Sequence, residues 1–239
     1  MKRILLYCLV IASLATSCSK EISVETNGNG PGGGPGTGGG GGGSSSGNDT
    51  YQPVTKNSTW KYVLTGVFPG ETTITSTGNT RIVNGLSCFV FTSTSTIANA
   101  AGEGLFAIKD HNYYTVQKGA SPNTGAAFDV NLLYLNDTAS VGYKWSYQAG
   151  HGNGFTAIID GAIISKGTTM TVEGKVYNDV IRTEMVLKYD IPMLGVLTFA
   201  TYDYYVAKNI GIIKVDSKGD PVWGGGLLSE MNLVSYSIK

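Results

Sequence analysis

Histidine, cysteine, charge and long apolar runs are all scarce in this chain of 239 residues. The two histidines, His111 and His151, have no Cys or Glu at ligand spacing, so no zinc site can be assembled from local sequence. Of three cysteines, Cys8 and Cys18 fall at the very start and leave Cys88 alone, so the body of the chain can form no internal disulfide. Charged residues make up only 14%, with 17 basic and 17 acidic and no block of either sign. Phosphate binding needs a clustered basic face, and nucleic acid is therefore not an expected partner. The longest apolar stretch, residues 4–14, is too short for a membrane span, which takes about 20 apolar residues.

That short stretch is nevertheless informative. Lys2 and Arg3 precede it and the small residues Ala15-Thr16-Ser17 follow it, ending at Cys18. A basic start, an apolar run and small residues before a cut are the parts of an export signal. The string Ala15-Thr16-Ser17-Cys18 resembles the bacterial lipoprotein lipobox, with Ala15 where leucine is commonest. The resemblance implies cleavage before Cys18 and its conversion to a lipid-bearing terminus with a thioether-linked diacylglycerol and an N-acyl chain. Stable anchoring needs more than one acyl chain, which such a group provides. Ala15 and Ser17 would also suit the general signal peptidase, which would leave a secreted chain starting at Cys18. Ser19 is compatible with delivery to an outer membrane, and Lys20-Glu21 is similar to the charged export tags of Bacteroidota surface lipoproteins. The partner expected from this region is thus a membrane, held through a lipid anchor at the outer membrane or cell surface. Without Lys2 and Arg3 the balance is 15 basic to 17 acidic residues, near −2.

Residues 18–50 read as a tether. Most positions in 28–47 are glycine, with Ser, Thr, Pro31 and Pro35. Such a tract cannot bury enough apolar surface to offset the entropy of ordering. About 24 residues of flexible coil give an end-to-end distance of roughly 27 Å, and about 80 Å when stretched. Gly28-Asn29-Gly30-Pro31-Gly32-Gly33 and Gly43-Ser44-Ser45-Ser46-Gly47 match the dinucleotide and nucleophile-elbow patterns. Neither has the strand and helix that give those patterns meaning.

Residues 51–239 are enough for one substantial core or two small ones. Trp60, Tyr62 and Leu64 alternate with Lys61, Val63 and Thr65, and Tyr143, Trp145 and Tyr147 alternate with Lys144, Ser146 and Gln148. Period two with one apolar face predicts half-buried strands. Further strands are expected near 72–83, 86–95, 104–109, 112–117, 129–135, 155–164, 168–173, 177–188, 196–206, 209–216 and 228–238. Turns are expected at Asn84-Gly85, Asn136-Asp137, Glu173-Gly174 and Lys218-Gly219, and a loop over 98–104. Cys88 falls in an apolar strand and reads as a buried structural thiol.

Two windows share one spacing. Ile74-x-Ser76-x-Gly78-x-Thr80-x-x-Val83-x-Gly85 aligns without gaps with Ile163-x-Ser165-x-Gly167-x-Thr169-x-x-Val172-x-Gly174. Upstream, Trp60-x-Tyr62 pairs with Trp145-x-Tyr147; downstream, Tyr113-Tyr114 pairs with Tyr204-Tyr205. We read an internal repeat over about 58–120 and 143–215, each copy a β-meander of four or five strands; chance likeness between two Thr/Gly-rich hairpins is the alternative. The expected fold is all-β: two related antiparallel meanders forming one curled sheet, half-barrel or barrel.

Several of these strings resemble uncharacterised Bacteroidota lipoproteins: Tyr51-x-Pro53, Trp60-x-Tyr62, Gly174-x-x-Tyr177-x-x-Val180-Ile181, and Tyr204-Tyr205-Val206-Ala207-Lys208-x-x-Gly211-Ile212-Ile213-Lys214. Similar steps occur in curled-sheet carriers of lipoproteins or lipids across the periplasm, though helices like those in the carriers' concave face are not visible here. Asp137-Thr138-Ala139 resembles the Bacteroidota O-glycosylation motif, which makes Thr138 a candidate acceptor; a plain turn fits it equally.

No catalytic constellation emerges. Asp110-His111 reads as a hairpin turn and His151 as part of a glycine loop. Asp216-Ser217-Lys218-Gly219-Asp220 has lysine where a calcium loop needs a third ligand. Paired carboxylates for glycoside hydrolysis can lie far apart in sequence, but acids are few and mostly beside turn residues. Aromatics remain as binding candidates. Tyr202 and Tyr204 share one strand face, and Trp223 in Pro221-Val222-Trp223-Gly224-Gly225-Gly226 either stacks on a sugar or lipid or folds back to cap the sheet. The expectation is a non-enzymatic module for a glycan, lipid or envelope partner, with no cofactor and no metal, and with scaffolding as the rival role.

Overall fold

Twelve strands follow one another along the chain: β1 (Thr59–Gly66), β2 (Gly70–Val83), β3 (Leu86–Ser95), β4 (Gly102–Lys109), β5 (Asn112–Ala120), β6 (Ala127–Asn136), β7 (Lys144–Gly152), β8 (Phe155–Val172), β9 (Lys175–Ile191), β10 (Gly195–Ala207), β11 (Gly211–Gly219) and β12 (Gly226–Ser237). The computed structural model describes residues 50–97, 100–120, 127–152, 155–221 and 225–239; the export signal, Cys18, the tether and Trp223 lie outside them. Consecutive strands pair antiparallel and β1 pairs with β12, so the sheet closes. Of the three forms open to the expected meander, the closed barrel is the one realised.

Alternation puts one set of side chains inside. Trp60, Tyr62 and Leu64 are buried between half-buried neighbours. On β9, Ile181, Thr183, Met185, Leu187 and Tyr189 face inward while Arg182, Glu184 and Lys188 face out. The interior is aromatic: Tyr134 stacks on Tyr204 at 5.5 Å, and Phe91 meets Phe106 edge-on at 4.8 Å. Each such side chain, fully buried, contributes about 1.5–3 kcal/mol. Polar tips find carbonyls: Trp60 Nε1 donates to Ile210 O at 2.6 Å and the Tyr62 hydroxyl to Ile212 O at 2.8 Å. One mouth is crossed by residues 50–53. Thr50 and Asn209 exchange two hydrogen bonds, Tyr51 packs edge-on to Tyr113, and the Tyr134 hydroxyl donates to Gln52 Oε1.

Across β9–β12 the outward face is charged. Glu184, Asp203, Asp216 and Glu230 stand directly opposite one another across β9, β10, β11 and β12. Arg182 binds Asp203 at 2.9 Å, and Lys214 reaches Glu230 at 2.8 Å and Asp216 at 3.3 Å. On these strands an apolar inside and a charged outside are the reverse of a transmembrane barrel, whose lipid-facing band is apolar.

The two windows of equal spacing lie on β2 and β8, the second strand of each run of six. Each is bulged around a glycine in the left-handed region, Gly78 (φ 75°) and Gly167 (φ 67°). Each ends in a two-residue turn with both residues at positive φ, Asn84-Gly85 and Glu173-Gly174, the type that matches strand twist. Both tips reach across their neighbours. The Asn84 amide donates to Asp129 and Asn131 on β6; Asn232 on β12 donates to Glu173, and Lys175 donates to Val234 O. Tyr113-Tyr114 lies on the fifth strand of its run and Tyr204-Tyr205 on the fourth, so these two pairs do not occupy equivalent places.

Three local expectations change. Residues 102–104, expected within a loop, open β4, because their backbone pairs with Phe91, Thr92 and Ser93 of β3. Residues 155–164 and 168–173 form one strand, β8, because its bulges absorb the break without ending the ladder. Lys218-Gly219 continues β11, pairing with Leu227 and Gly226, so the chain reverses beyond it. A second small core also sits on the outward face: Val83, Cys88, Val90, Leu105, Ala107 and Val116 pack together beneath the β2–β3 tip. Cys88 has no solvent exposure there.

Candidate functional site

Tyr202 and Tyr204 share a face, as expected, but it is the inner one. Both are only 4% exposed, and burial raises both phenols well above their ordinary range. Closure of the sheet turns this strip into core, so it is corrected from a ligand platform to packing. Within the barrel they pack among other buried side chains, Tyr204 on Tyr134. A cavity bounded by Trp60, Tyr62, Phe91 and Phe106 measures about 10 Å³, close to the minimum that admits one water. An acyl chain does not fit there. Thr138 is exposed on the β6–β7 turn, its hydroxyl donating to Asn136 Oδ1 at 3.0 Å. Trp223 and Cys18 are among the residues not described.

The opening in this fold lies at the junction of β6 and β7. These strands share only two register pairs, Asp129↔His151 and Val130↔Gly150. Gly150 permits even this contact: its φ is 140°, and a Cβ there would fall 1.7 Å from Asp129 O. Beyond it the strands diverge, and Tyr147 crosses the gap. Its hydroxyl donates to Asn131 O at 2.5 Å and accepts from Leu133 N–H at 2.6 Å. One side chain thus replaces a missing rung of the ladder. Burial raises its phenol far above the ordinary range, so the group stays a neutral donor.

Outside this gap is a cleft of about 410 Å³, within the roughly 300–1,000 Å³ of small-ligand sites. Tyr114, Leu133 and Tyr147 supply its apolar and ring surface. Asn84 from the hairpin tip, Asn112 from β5, Asn131 from β6 and Gln148 from β7 supply amides, and Lys109 and Asp110 stand at the β4–β5 turn. Asn136 donates to Asn112 Oδ1 at 2.9 Å, while Asn112 itself donates to Asp110 O at 3.2 Å; Asn84 donates to Asp129 and, at 3.1 Å, to Asn131 Oδ1, so Asn112 keeps a second N–H and Asn131 its amide N–H groups to offer. Burial raises the Tyr114 phenol and Asp110 nearby raises it further. The cleft therefore offers ring faces, amide donors and acceptors, and one charge of each sign.

A second polar group sits close by. His111 is an exposed turn residue, as expected, but its Nδ1 lies 2.9 Å from Asp137 Oδ1 and not beside Asp110. The Tyr113 hydroxyl donates to the other oxygen of Asp137 at 2.8 Å, and burial pushes that phenol up to about 12. Lys166 donates to the Asp137 and Ala139 carbonyls. This arrangement fastens the β6–β7 turn to the barrel mouth. Sequence spacing could reveal neither the cleft nor this group, because the cleft draws on four separate segments and the group on three. The Asn84-Gly85 turn was the single visible signal, since it fixed where the hairpin tip would be.

No family model matches the sequence, and no curated protein does. Among solved structures, a protein of Parabacteroides distasonis, provisionally classed as a lipoprotein, is similar with a TM-score of 0.50 and 7% identity, over 80% of this chain and 99% of that one. A Bacteroides fragilis protein, provisionally classed as exported and with a YmcC-like fold, is similar with a TM-score of 0.46 and 11% identity, over 77% and 97%. The likeness to the Parabacteroides protein is one of fold alone.

Proposed function

We propose that this chain is a lipid-anchored protein of the outer membrane or cell surface whose barrel binds carbohydrate without transforming it. The anchor is Cys18, on the strength of the export signal, the small residues before it and the tether after it. The charged outward face of β9–β12 suits mounting on a membrane better than spanning one, and the class given to the Parabacteroides protein agrees.

The cleft at the β6–β7 seam carries the binding reading. Sugars present apolar C–H faces and many hydroxyls, and they are matched by rings and planar amides. Tyr114, Asn84, Asn112, Asn131 and Gln148 offer that set in one place. The filled interior argues against lipid carriage and is the observation that favours scaffolding as the rival. Thr138 remains the candidate O-glycosylation acceptor, and the intact mass of the mature protein from its own host tests that.

The decisive experiment is calorimetric titration of the mature protein with a panel of oligosaccharides. Asn112→Ala and Tyr114→Ala should each weaken a positive sugar at least tenfold, with the barrel's circular dichroism unchanged. Affinity indifferent to Asn112→Ala, or no binding across the panel, would remove the carbohydrate reading in favour of scaffolding.

A further inference from the structure

The seam cleft is elongated along β5 and β6. In their register Val116 stands opposite Asn131, and Asn112 stands opposite Asn136. The cleft reaches from Asn131 to Asn112. It therefore runs along the four steps of β5 from Asn112 to Val116, about 13 Å at the usual rise of a strand. That is longer than a single pyranose ring. The β2–β3 tip bounds the Asn131 end, where Val83 packs with Val116 in the small outer core. The β4–β5 turn bounds the other end with Lys109 and Asp110, and Tyr114 and Leu133 face each other in register between the two.

At the tip end the polarity of the amides is fixed. A carboxylate only accepts, so Asn84 must turn its Nδ2 toward Asp129. The Asn131 atom 3.1 Å from that same nitrogen must then be the acceptor, Oδ1. Both Asn84 N–H bonds are used in this way. Asn84 Oδ1 and Asn131 Nδ2 are left for a ligand, an acceptor beside a donor. Neighbouring hydroxyls of one sugar ring can each donate and accept, and so satisfy both. Asp129 does not line the cleft; it acts as a positioning residue. At the turn end the groups differ. Asn112 keeps one N–H after its bond to the Asp110 carbonyl, and Lys109 and Asp110 bring one charge of each sign.

We propose that the cleft is a two-ended groove for a linear, uncharged oligosaccharide. Asn84 and Asn131 grip one ring, Asn112, Lys109 and Asp110 grip another, and the stretch between them lies over Tyr114. This rests on the carbohydrate reading of the cleft and adds the length and charge of its ligand. A single sugar occupies one end at a time and gains one set of bonds. A chain that spans the groove gains both, the second at the high effective concentration of a linked site. Asp110 and, behind Asn84, Asp129 outnumber Lys109, which disfavours an anionic chain.

The test is calorimetric titration of the mature protein with ladders of glucan, xylan, mannan and chitin oligosaccharides, each from one ring to five. A galacturonan ladder is the anionic arm. In a series that binds, affinity should rise about tenfold or more from one ring to the spanning length, and less than about twofold per ring beyond it. Asn131→Ala should cost the spanning chain about tenfold and the single ring less than about threefold. Asp129→Ala, which removes no group lining the cleft, should do the same. A single ring that binds as tightly as any chain, an affinity that climbs without levelling, or an Asn131→Ala loss equal at every length overturns the two-ended groove and leaves the carbohydrate reading standing. Tighter binding of the galacturonan ladder than of every neutral one does so too. The ladders on the unaltered protein decide the length even where a variant misfolds. No binding in any ladder removes the carbohydrate reading and this groove together.

Discussion

The indole of Trp145 on β7 lies flat against Gly161 on the neighbouring β8: a Cβ at position 161 would fall 2.0 Å from Trp145 Cε2. Gly161 is buried and its backbone is ordinary strand, so the glycine is required by contact and not by conformation. Gly161→Ala should cost about 1–3 kcal/mol through overpacking, read as a lower urea midpoint. Adding Trp145→Ala should recover part of that loss, because the obstructing ring is gone; a strictly additive double variant would contradict the contact.

Tyr147→Phe tests the seam. Removing the hydroxyl strands the Leu133 N–H and the Asn131 carbonyl, at a cost of about 1–3 kcal/mol for unpaired buried backbone groups. Amide exchange at Leu133 should accelerate more than at residues of the fully paired β1–β12 ladder. Equal acceleration everywhere would show a global effect and no special role for the phenol.

Acid stability follows from two carboxylates. Lys188, with Ser146, holds Asp160 below its ordinary value, and Lys214, with Asn232, holds Glu230 below its own. A depressed folded-state pKa adds stability that is fully present above the unfolded value and is lost as pH falls through the folded one. The urea midpoint should therefore decline from about pH 4.5 downward. Asp160→Asn should flatten that decline, and salt should shrink the difference because both groups are partly exposed. Asp216, raised chiefly by burial, works in the opposite sense: it favours the fold when protonated and loses that contribution as pH rises through its folded value.

With Cys18 acylated and the signal removed, Cys88 would be the sole thiol of the mature protein. Burial raises its pKa, which disfavours the reactive thiolate. Ellman's reagent should find less than a tenth of an equivalent in native protein and one full equivalent after denaturation. Rapid native labelling would mean that the β2–β3 tip opens readily.

Strands were legible where one face is buried, because the period-two pattern reports burial directly: Trp60-x-Tyr62-x-Leu64 is the clear case. Turn chemistry located the Asn84-Gly85 and Glu173-Gly174 tips for a similarly local reason. Closure was not legible, since it depends on β1 meeting β12 and no local signal encodes that register. For the same reason Tyr202 and Tyr204 could be placed on one face but not on the inner one. Cys88 was read correctly as buried, yet the outward cluster that buries it depends on the hairpin folding over β3–β5. The cleft was invisible because divergence of β6 from β7 turns on the reach of one phenol and the absence of one Cβ at Gly150.

Every ladder in this barrel but one joins strands adjacent in sequence. The exception, β1 with β12, aligns Thr59 with Ser237 and Gly66 with Ser229 in eight rungs. If the chain is threaded across a membrane from its amino end, as an export signal implies, β1 emerges before β12. Until β12 is in place, β1 presents an unpaired edge, and such edges invite pairing with other chains. Closure of the barrel therefore waits on the strand most distant in sequence. Loss of even a short carboxy-terminal piece would leave eleven strands with two open borders.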